Sequence, residues 1–199
     1  MNWTRIWVLC CVVLAAAGCG GDDTAEPANA HAALKRGWAA YTKGAFSDAL
    51  LEFERAVNLD AELADAHNGA GWAHLSLAQG EPSESAVDLA VDSFRRAIQN
   101  DEALSDAWVG LGMALYVRRA DAQDLNEAGE ALAAALRTGG GSLYRHDYSS
   151  EADIAALDAW RLYHAGDSAA AFRRASDALK LNPSLQAAQI LLKMPALSE

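Results

Sequence analysis

A ring-and-glycine pattern that begins at Trp108 limits the folds open to this chain more than any other stretch. Trp108 is followed by Leu111 and Gly112, three and four residues later, and then by Leu115 and Tyr116. These intervals place large apolar side chains at helical spacing, with a small residue among them. The stretch is therefore predicted to be a helix that a second helix can approach closely at its glycine.

The arrangement recurs along the chain. The small residue is found at Gly37, Gly71, Gly112 and Ala159, at intervals of 34, 41 and 47 residues. Each is followed by a second helical segment in which small residues flank a central apolar position. These segments carry Ala49, Phe53 and Ala56; Ala90, Phe94 and Ala97; Ala128, Leu132 and Ala135; and Ala171, Ala175 and Ala178. Self-similarity at such a period predicts stacked helical hairpins.

Turn residues support the same division. Gly44 and Gly166 fall inside the first and last hairpins, and Pro183 follows the last one. With the first interval of 34 residues, these features resemble tetratricopeptide repeat (TPR) proteins. The resemblance implies an all-α fold, a TPR helical-hairpin solenoid of about four repeats plus a C-terminal capping helix. The implied repeats cover about residues 30–61, 64–102, 105–137 and 152–183, followed by a capping helix at 184–194.

Two insertions separate these repeats. Seven extra residues fall within 81–90, where two additional helical turns would keep the apolar face in phase. The longer insertion, at 138–150, is rich in Gly and polar residues and interrupts the predicted solenoid. It is therefore predicted to be a loop, and loops of this length often carry recognition residues.

The N-terminus has the features of an export signal. One positive charge, Arg5, precedes an uncharged run from Ile6 to Ala17, which is too short to span a bilayer but suits a signal peptide. The following Cys19 resembles the lipidated cysteine of the bacterial lipobox, although Ala16 stands where that motif prefers Leu. The resemblance implies a lipoprotein signal peptide at 1–18 and lipidation of Cys19. An ordinary secretory signal with a chance cysteine is the alternative.

Residues 19–29 are predicted to form the lipidated cysteine and a flexible tether, because they contain glycines, acids and a proline without periodicity. The implied location is the bacterial cell envelope, lipid-anchored on the periplasmic side. Gly20 is not the Asp that signals inner-membrane retention in enterobacterial lipoproteins, so the resemblance favours the outer membrane. All three cysteines lie in the first 19 residues, which leaves the repeats with no disulfide or thiolate metal site.

The TPR resemblance also implies a concave groove lined by the first helix of each hairpin. The positions that face the groove carry mostly large aromatic side chains. They are Trp38, Tyr41, Trp72, Leu75, Met113, Tyr116, Trp160 and Tyr163. Acidic residues, among them Asp65, Asp106 and Asp153, begin three of these helices. Such a groove would suit an extended or basic peptide segment. Packing between hairpins is the alternative role of these rings.

The expected function is a non-catalytic scaffold that binds a protein partner in an envelope assembly, secretion or cell-wall complex. A glycan or peptidoglycan module that uses the groove Trp residues is the second hypothesis. A net charge of −11 disfavours nucleic-acid binding. The chain contains no motif that indicates a cofactor.

The 138–150 insertion holds the most enzyme-like residues of the chain. Its recognition candidates are Tyr144, Arg145, His146, Asp147 and Tyr148. A histidine beside an aspartate could form a base with its orienting group, but no nucleophile motif accompanies them. Packing of the loop over the solenoid, with a role in recognition, is the preferred interpretation, and the chain is not expected to be an enzyme.

Overall fold

The computed structural model describes residues 29–80, 84–138 and 150–197. These residues form nine α-helices and no strand. The helices are α1 (Ala30–Tyr41), α2 (Phe46–Leu59), α3 (Ala64–Gly80), α4 (Glu84–Asn100), α5 (Ser105–Arg118), α6 (Ala122–Thr138), α7 (Glu151–His164), α8 (Ser168–Leu181) and α9 (Gln186–Leu191). The predicted all-α hairpin solenoid, with four pairs and a short final helix, is confirmed.

Helix ends follow from local side-chain chemistry. Asn29, Ser150 and Asp167 accept hydrogen bonds from backbone N–H groups at the starts of α1, α7 and α8. These caps satisfy donors that have no partner within the helix. Gly44 and Gly166 turn the chain inside the first and last hairpins with φ of 75° and 91°, a left-handed conformation that favours glycine.

The first helix of each hairpin lies on the inner side of the solenoid. Within the described residues α1 contacts α3, α3 contacts α5, and α5 contacts α7, whereas α2, α4, α6 and α8 make no comparable contacts with one another. In such a stack the first helices of neighbouring hairpins lie closer together than the second helices do. The solenoid therefore curves, and the first helices are on its concave side. The inner surface is therefore built by α1, α3, α5 and α7, closed at one end by α9, which packs on α7 and α8.

Phenylalanines of the second helices lock neighbouring hairpins together. Phe94 of α4 is fully buried, and its ring occupies the space next to Gly71 of α3 and Gly110 of α5. Phe53 of α2 lies in the same way against Gly37 and Gly69. Each ring thus contacts two successive first helices, which requires that those helices present no side chain at the point of contact.

The last hairpin is packed differently. Ala175 of α8 stands where Phe53 and Phe94 lie in earlier repeats, and it is fully buried. The buried residues of α8 and α9 form a second cluster with part of α7, built mainly from alanines together with Tyr163 and Leu191, whereas Ile154 and Leu157 of α7 pack in the main core. Close helix approach replaces ring insertion at this end of the molecule.

The seven-residue insertion lengthens both helices of the second hairpin. α3 and α4 each have 17 residues, against 12 and 14 in α1 and α2. Residues 81–83 lie outside the described residues, and α4 begins at Glu84. In the described part of the chain, no helix has both the length and the apolar character needed to cross a bilayer.

The substitution Gly71→Ala tests the ring-and-glycine packing. A methyl at this position would lie 2.7 Å from Cε1 of Phe94 and 2.8 Å from two other atoms of the same ring. Overpacking costs about 1–3 kcal/mol, against a gain of up to about 1 kcal/mol in helix propensity. We expect a net loss of stability, measured by urea denaturation. The loss caused by Gly71→Ala should be smaller in a chain that also carries Phe94→Leu, because the smaller side chain opens space for the methyl.

Gly129→Ala is the matched control. Gly129 also lies within a helix, but the atoms nearest its methyl would be those of the Arg161 guanidinium, 2.8 Å away at Cζ, and not those of a buried ring. We expect this variant to lose less stability than Gly71→Ala, because the end of a long side chain can move further than a ring enclosed by two helices. Equal tolerance of alanine at Gly71 and Gly129 would contradict the proposed packing.

Candidate functional site: the inner surface

The structure divides the predicted groove residues into a buried set and a partly exposed set. Five side chains are buried within the solenoid: Trp38, Tyr41, Trp72, Leu75 and Tyr163. The other three, Met113, Tyr116 and Trp160, are partly exposed. The inner surface that is open to a partner therefore lies towards the C-terminal end, on α5 and α7.

The buried rings connect neighbouring hairpins. Trp38 packs edge-on against Phe53, with ring centroids 5.0 Å apart, and its indole N–H donates to the Asp65 carboxylate at 3.2 Å. Tyr41 lies 3.1 Å, hydroxyl to hydroxyl, from Ser76. The two polar contacts join α1 to α3, and the ring contact joins α1 to α2. The rings therefore contribute to packing, which was the alternative interpretation of the aromatic ladder. Partner binding by the buried set stays a prediction.

A buried polar chain continues along the same face. The Asn68 side-chain amide donates to Asp106 at 2.7 Å and to Asp65 at 3.3 Å. Asn68 and Asp106 are almost completely buried. Hydrogen bonds in such surroundings are strong and costly to lose. The acids predicted at the helix starts thus take part in joining α3 to α5.

An open cavity of about 290 Å³ lies on the C-terminal part of the inner surface. Its aromatic wall comes from Tyr116 of α5 and Trp160 of α7, and Asp153 stands at its edge. The remaining wall is apolar: Ala156, Leu157, Leu185 and Ala187. The sequence indicated Tyr116 and Trp160, but it did not indicate Leu185 and Ala187, whose place depends on how α9 folds back onto α7.

Two hydrogen bonds fix the walls of this cavity. The Trp160 indole N–H donates to the Ala187 carbonyl oxygen at 3.2 Å, which ties α7 to α9. Asp153 accepts a hydrogen bond of 2.6 Å from the Ser150 hydroxyl. A carboxylate in the first turn of a helix is also stabilised by the helix dipole. The cavity is therefore formed before any ligand enters, which reduces the entropy cost of binding.

A histidine and one cation lie against the two rings that line the cavity. His164 stacks on Trp160 at 6.1 Å between centroids and lies 5.8 Å from the Tyr116 ring. The Arg119 guanidinium is 5.1 Å from the Tyr116 ring centroid, within cation–π range. Burial raises the pKa of Tyr116, and the charge of Arg119 partly opposes this shift.

A second cavity, of about 310 Å³, lies on the outer side between α2 and α4. His67 and His74 of α3 form part of its floor, and Glu54, Asp92 and Arg96 are among its other lining residues. His67 Nε2 is 2.9 Å from the Ala61 carbonyl oxygen, which gives this histidine a structural role. Among the residues that the structure describes, no group of three or more His, Cys, Asp or Glu side chains could hold a metal ion.

Two other predicted sites lie outside the described residues. They are the lipidation site Cys19 and the loop candidates Tyr144, Arg145, His146, Asp147 and Tyr148.

Comparison with solved structures identifies the architecture. PilF of Pseudomonas aeruginosa superposes with a TM-score of 0.64 at 19% identity, over 82% of this chain and 65% of that one. This chain therefore spans slightly less than two thirds of that protein. MamA superposes with a TM-score of 0.63 at 16% identity, over 82% of this chain and 78% of that one. A third match is TTC0263, a thermophilic TPR protein in Thermus thermophilus.

The fold is a TPR-like solenoid. TTC0263 matches with a TM-score of 0.63 at 13% identity, over 83% of this chain and 80% of that one. At these identities the likeness establishes the fold alone. No protein-family model matches the sequence, and no curated protein matches it either.

Two histidines with lowered pKa values, the half-buried His74 and the exposed His164, predict a loss of stability in mild acid. Burial lowers the pKa of His74, with Glu54 partly opposing the shift, and burial together with the charge of Arg119 lowers the pKa of His164. As the pH falls, these histidines therefore bind protons at a higher pH in the unfolded chain than in the folded chain. The contribution of the two neutral histidines to the free energy of unfolding is fully present above the ordinary histidine pKa of 6.5 and declines as the pH falls below it.

We expect the urea midpoint to fall between pH 7.5 and pH 5.5, and the fall to be smaller in His74→Gln. The Asp124 carboxylate does not contribute in this window, because its hydrogen bond with Arg118 lowers its pKa from an already acidic 3.8. A midpoint as pH-dependent in His74→Gln as in the parent would refute the role of His74.

Proposed function

We propose that this protein is a non-catalytic scaffold that binds a protein partner at the C-terminal part of its inner surface. The observation that carries the proposal is the preformed cavity bordered by Tyr116, Trp160 and Asp153. Its volume, about 290 Å³, is near the lower end for small-molecule sites. Such a volume suits one or two side chains of an extended peptide better than a whole cofactor.

The cavity has the chemistry of a peptide-binding site. Aromatic and aliphatic walls surround a single carboxylate, and the aromatic residues are held by hydrogen bonds or ring contacts. Anchors of this kind supply much of the binding energy at protein interfaces. An extended segment that crosses α5 and α7 would place an apolar side chain in the cavity and would run along the inner surface.

We further propose that lipidation at Cys19 anchors the scaffold to the extracytoplasmic face of a bacterial membrane. Support comes from the uncharged run before Cys19, the small residues next to it and the tether that follows. Two or more acyl chains hold a protein firmly at a bilayer. The solenoid would then stand at the periplasmic surface, on the outer membrane by the sequence preference, within an envelope assembly, secretion or cell-wall complex.

The partner-binding proposal is tested by affinity capture from solubilised envelope. We expect Tyr116→Ala to reduce the yield of captured partner by about tenfold, as expected for loss of an anchor worth more than 1 kcal/mol. Leu89→Ala is the control, since it removes an apolar side chain that is 50% exposed on the outer α4 helix. Equal capture by the two variants would contradict binding at the inner surface.

The same experiment separates a protein partner from a glycan. Capture of a protein should survive treatment of the envelope with glycosidases. Release of the captured material by soluble peptidoglycan fragments, together with quenching of Trp fluorescence, would instead support the glycan hypothesis.

The anchor has a test of its own. In a bacterium with lipoprotein-processing enzymes, the parent should incorporate labelled palmitate and sediment with membranes. Cys19→Ser should do neither, whereas Cys11→Ser should behave as the parent, because Cys11 lies within the segment expected to be removed. Labelling of Cys19→Ser would rule out the proposed lipid site.

A further inference from the structure

Two opposite charges lie near the cavity at Tyr116 and Trp160. Asp153 lines it at the start of α7, and it is the one carboxylate among the described residues that line the cavity. Arg119 is exposed and does not line the cavity, but its guanidinium lies against the Tyr116 ring, which does. Tyr116 also contacts His164 at the end of α7, and the helical rise from Asp153 to His164 is about 16 Å.

Both charges are held in place. Asp153 lies at the start of α7, and Arg119 lies against the tyrosine that contacts His164 at the end of α7. Asp153 accepts from Ser150 and benefits from the N-terminal dipole of α7. Arg119 follows the last residue of α5 in a left-handed conformation with φ of 28°, and its amide donates to the Leu115 carbonyl oxygen at 2.8 Å. The nearby Arg118 is engaged with Asp88 and Asp124. Among the residues that the structure describes, Arg119 is therefore the cation that lies against Tyr116.

We propose that the cavity selects an extended peptide segment of mixed charge, with a basic residue at the Asp153 end, an apolar residue in the cavity and an acidic residue at the Arg119 end. The inference rests on the proposed function and names the chemistry of its partner. An extended chain rises about 3.3 Å per residue. The two charged residues of the ligand are therefore about five positions apart, with the apolar residue between them.

The apolar walls alone do not determine which peptide binds or in which direction it lies, whereas the two charges do. Leu157, Leu185 and Ala187 would accept any aliphatic side chain of suitable size. Opposite charges at the two ends fix the direction of the peptide, because reversing it would place like charges together.

Three acetylated and amidated peptides test the proposal. All have a central leucine and two charged residues five positions apart: lysine and glutamate, two lysines, or two glutamates. Binding is measured by fluorescence anisotropy at low salt, where exposed charges are least screened. The mixed peptide should bind about threefold more tightly than either of the others, a typical effect of one exposed ion pair.

Charge reversal in the protein supplies the decisive comparison. Arg119→Glu should transfer the preference to the peptide with two lysines, and Asp153→Lys should transfer it to the peptide with two glutamates. Arg119→Gly keeps a backbone that accepts positive φ and removes only the cation, so it should bind the mixed and double-lysine peptides equally. Circular dichroism checks that each variant is folded.

The outcomes separate this inference from the function on which it rests. Equal binding of the three peptides to the parent, no binding of any of them, or an unchanged preference in Arg119→Glu would overturn the charge selection. In each of these cases, loss of partner capture in Tyr116→Ala would still support the scaffold. Retained capture in Tyr116→Ala would instead count against the binding site itself.

Discussion

The insertion of one large ring between glycines of two successive first helices holds this solenoid together. Phe94 touches both Gly71 and Gly110, so the second hairpin cannot move away from the third without exposing that ring. Phe53 makes the same connection between the first and second hairpins. Burial of a phenylalanine contributes about 1.5–3 kcal/mol. Each of the two rings is buried at a junction between hairpins where the backbones of the first helices lie close to the ring.

This packing determines where the inner surface can act. Trp38 and Trp72 pack edge-on against Phe53 and Phe94, so the rings of the first two hairpins are used within the structure. The last hairpin has Ala175 in place of a ring, and its Trp160 bonds instead to the α9 backbone. The part of the inner surface with an open cavity is thus the part where ring insertion gives way to alanine packing.

The sequence was sufficient to predict the hairpins, because helical spacing, turn glycines and small-residue positions are local properties. It also indicated Tyr116 and Trp160. It could not distinguish Trp160 from Trp38 and Trp72, or Tyr116 from Tyr41 and Tyr163, which occupy equivalent repeat positions and differ in the neighbours that cover them. Nor could it indicate that Arg119 lies against Tyr116 or that Leu185 lines the cavity. Their positions depend on how α5 ends and on where α9 meets α7.

The most direct measurement of the central packing claim is a set of proton–proton NOEs from the Phe94 ring in the folded protein. If the ring lies between the two helices, its protons should show NOEs to the Hα protons of both Gly71 and Gly110. Those glycine protons should also have chemical shifts displaced by the ring current. NOEs to only one glycine, with the other unshifted, would contradict the account.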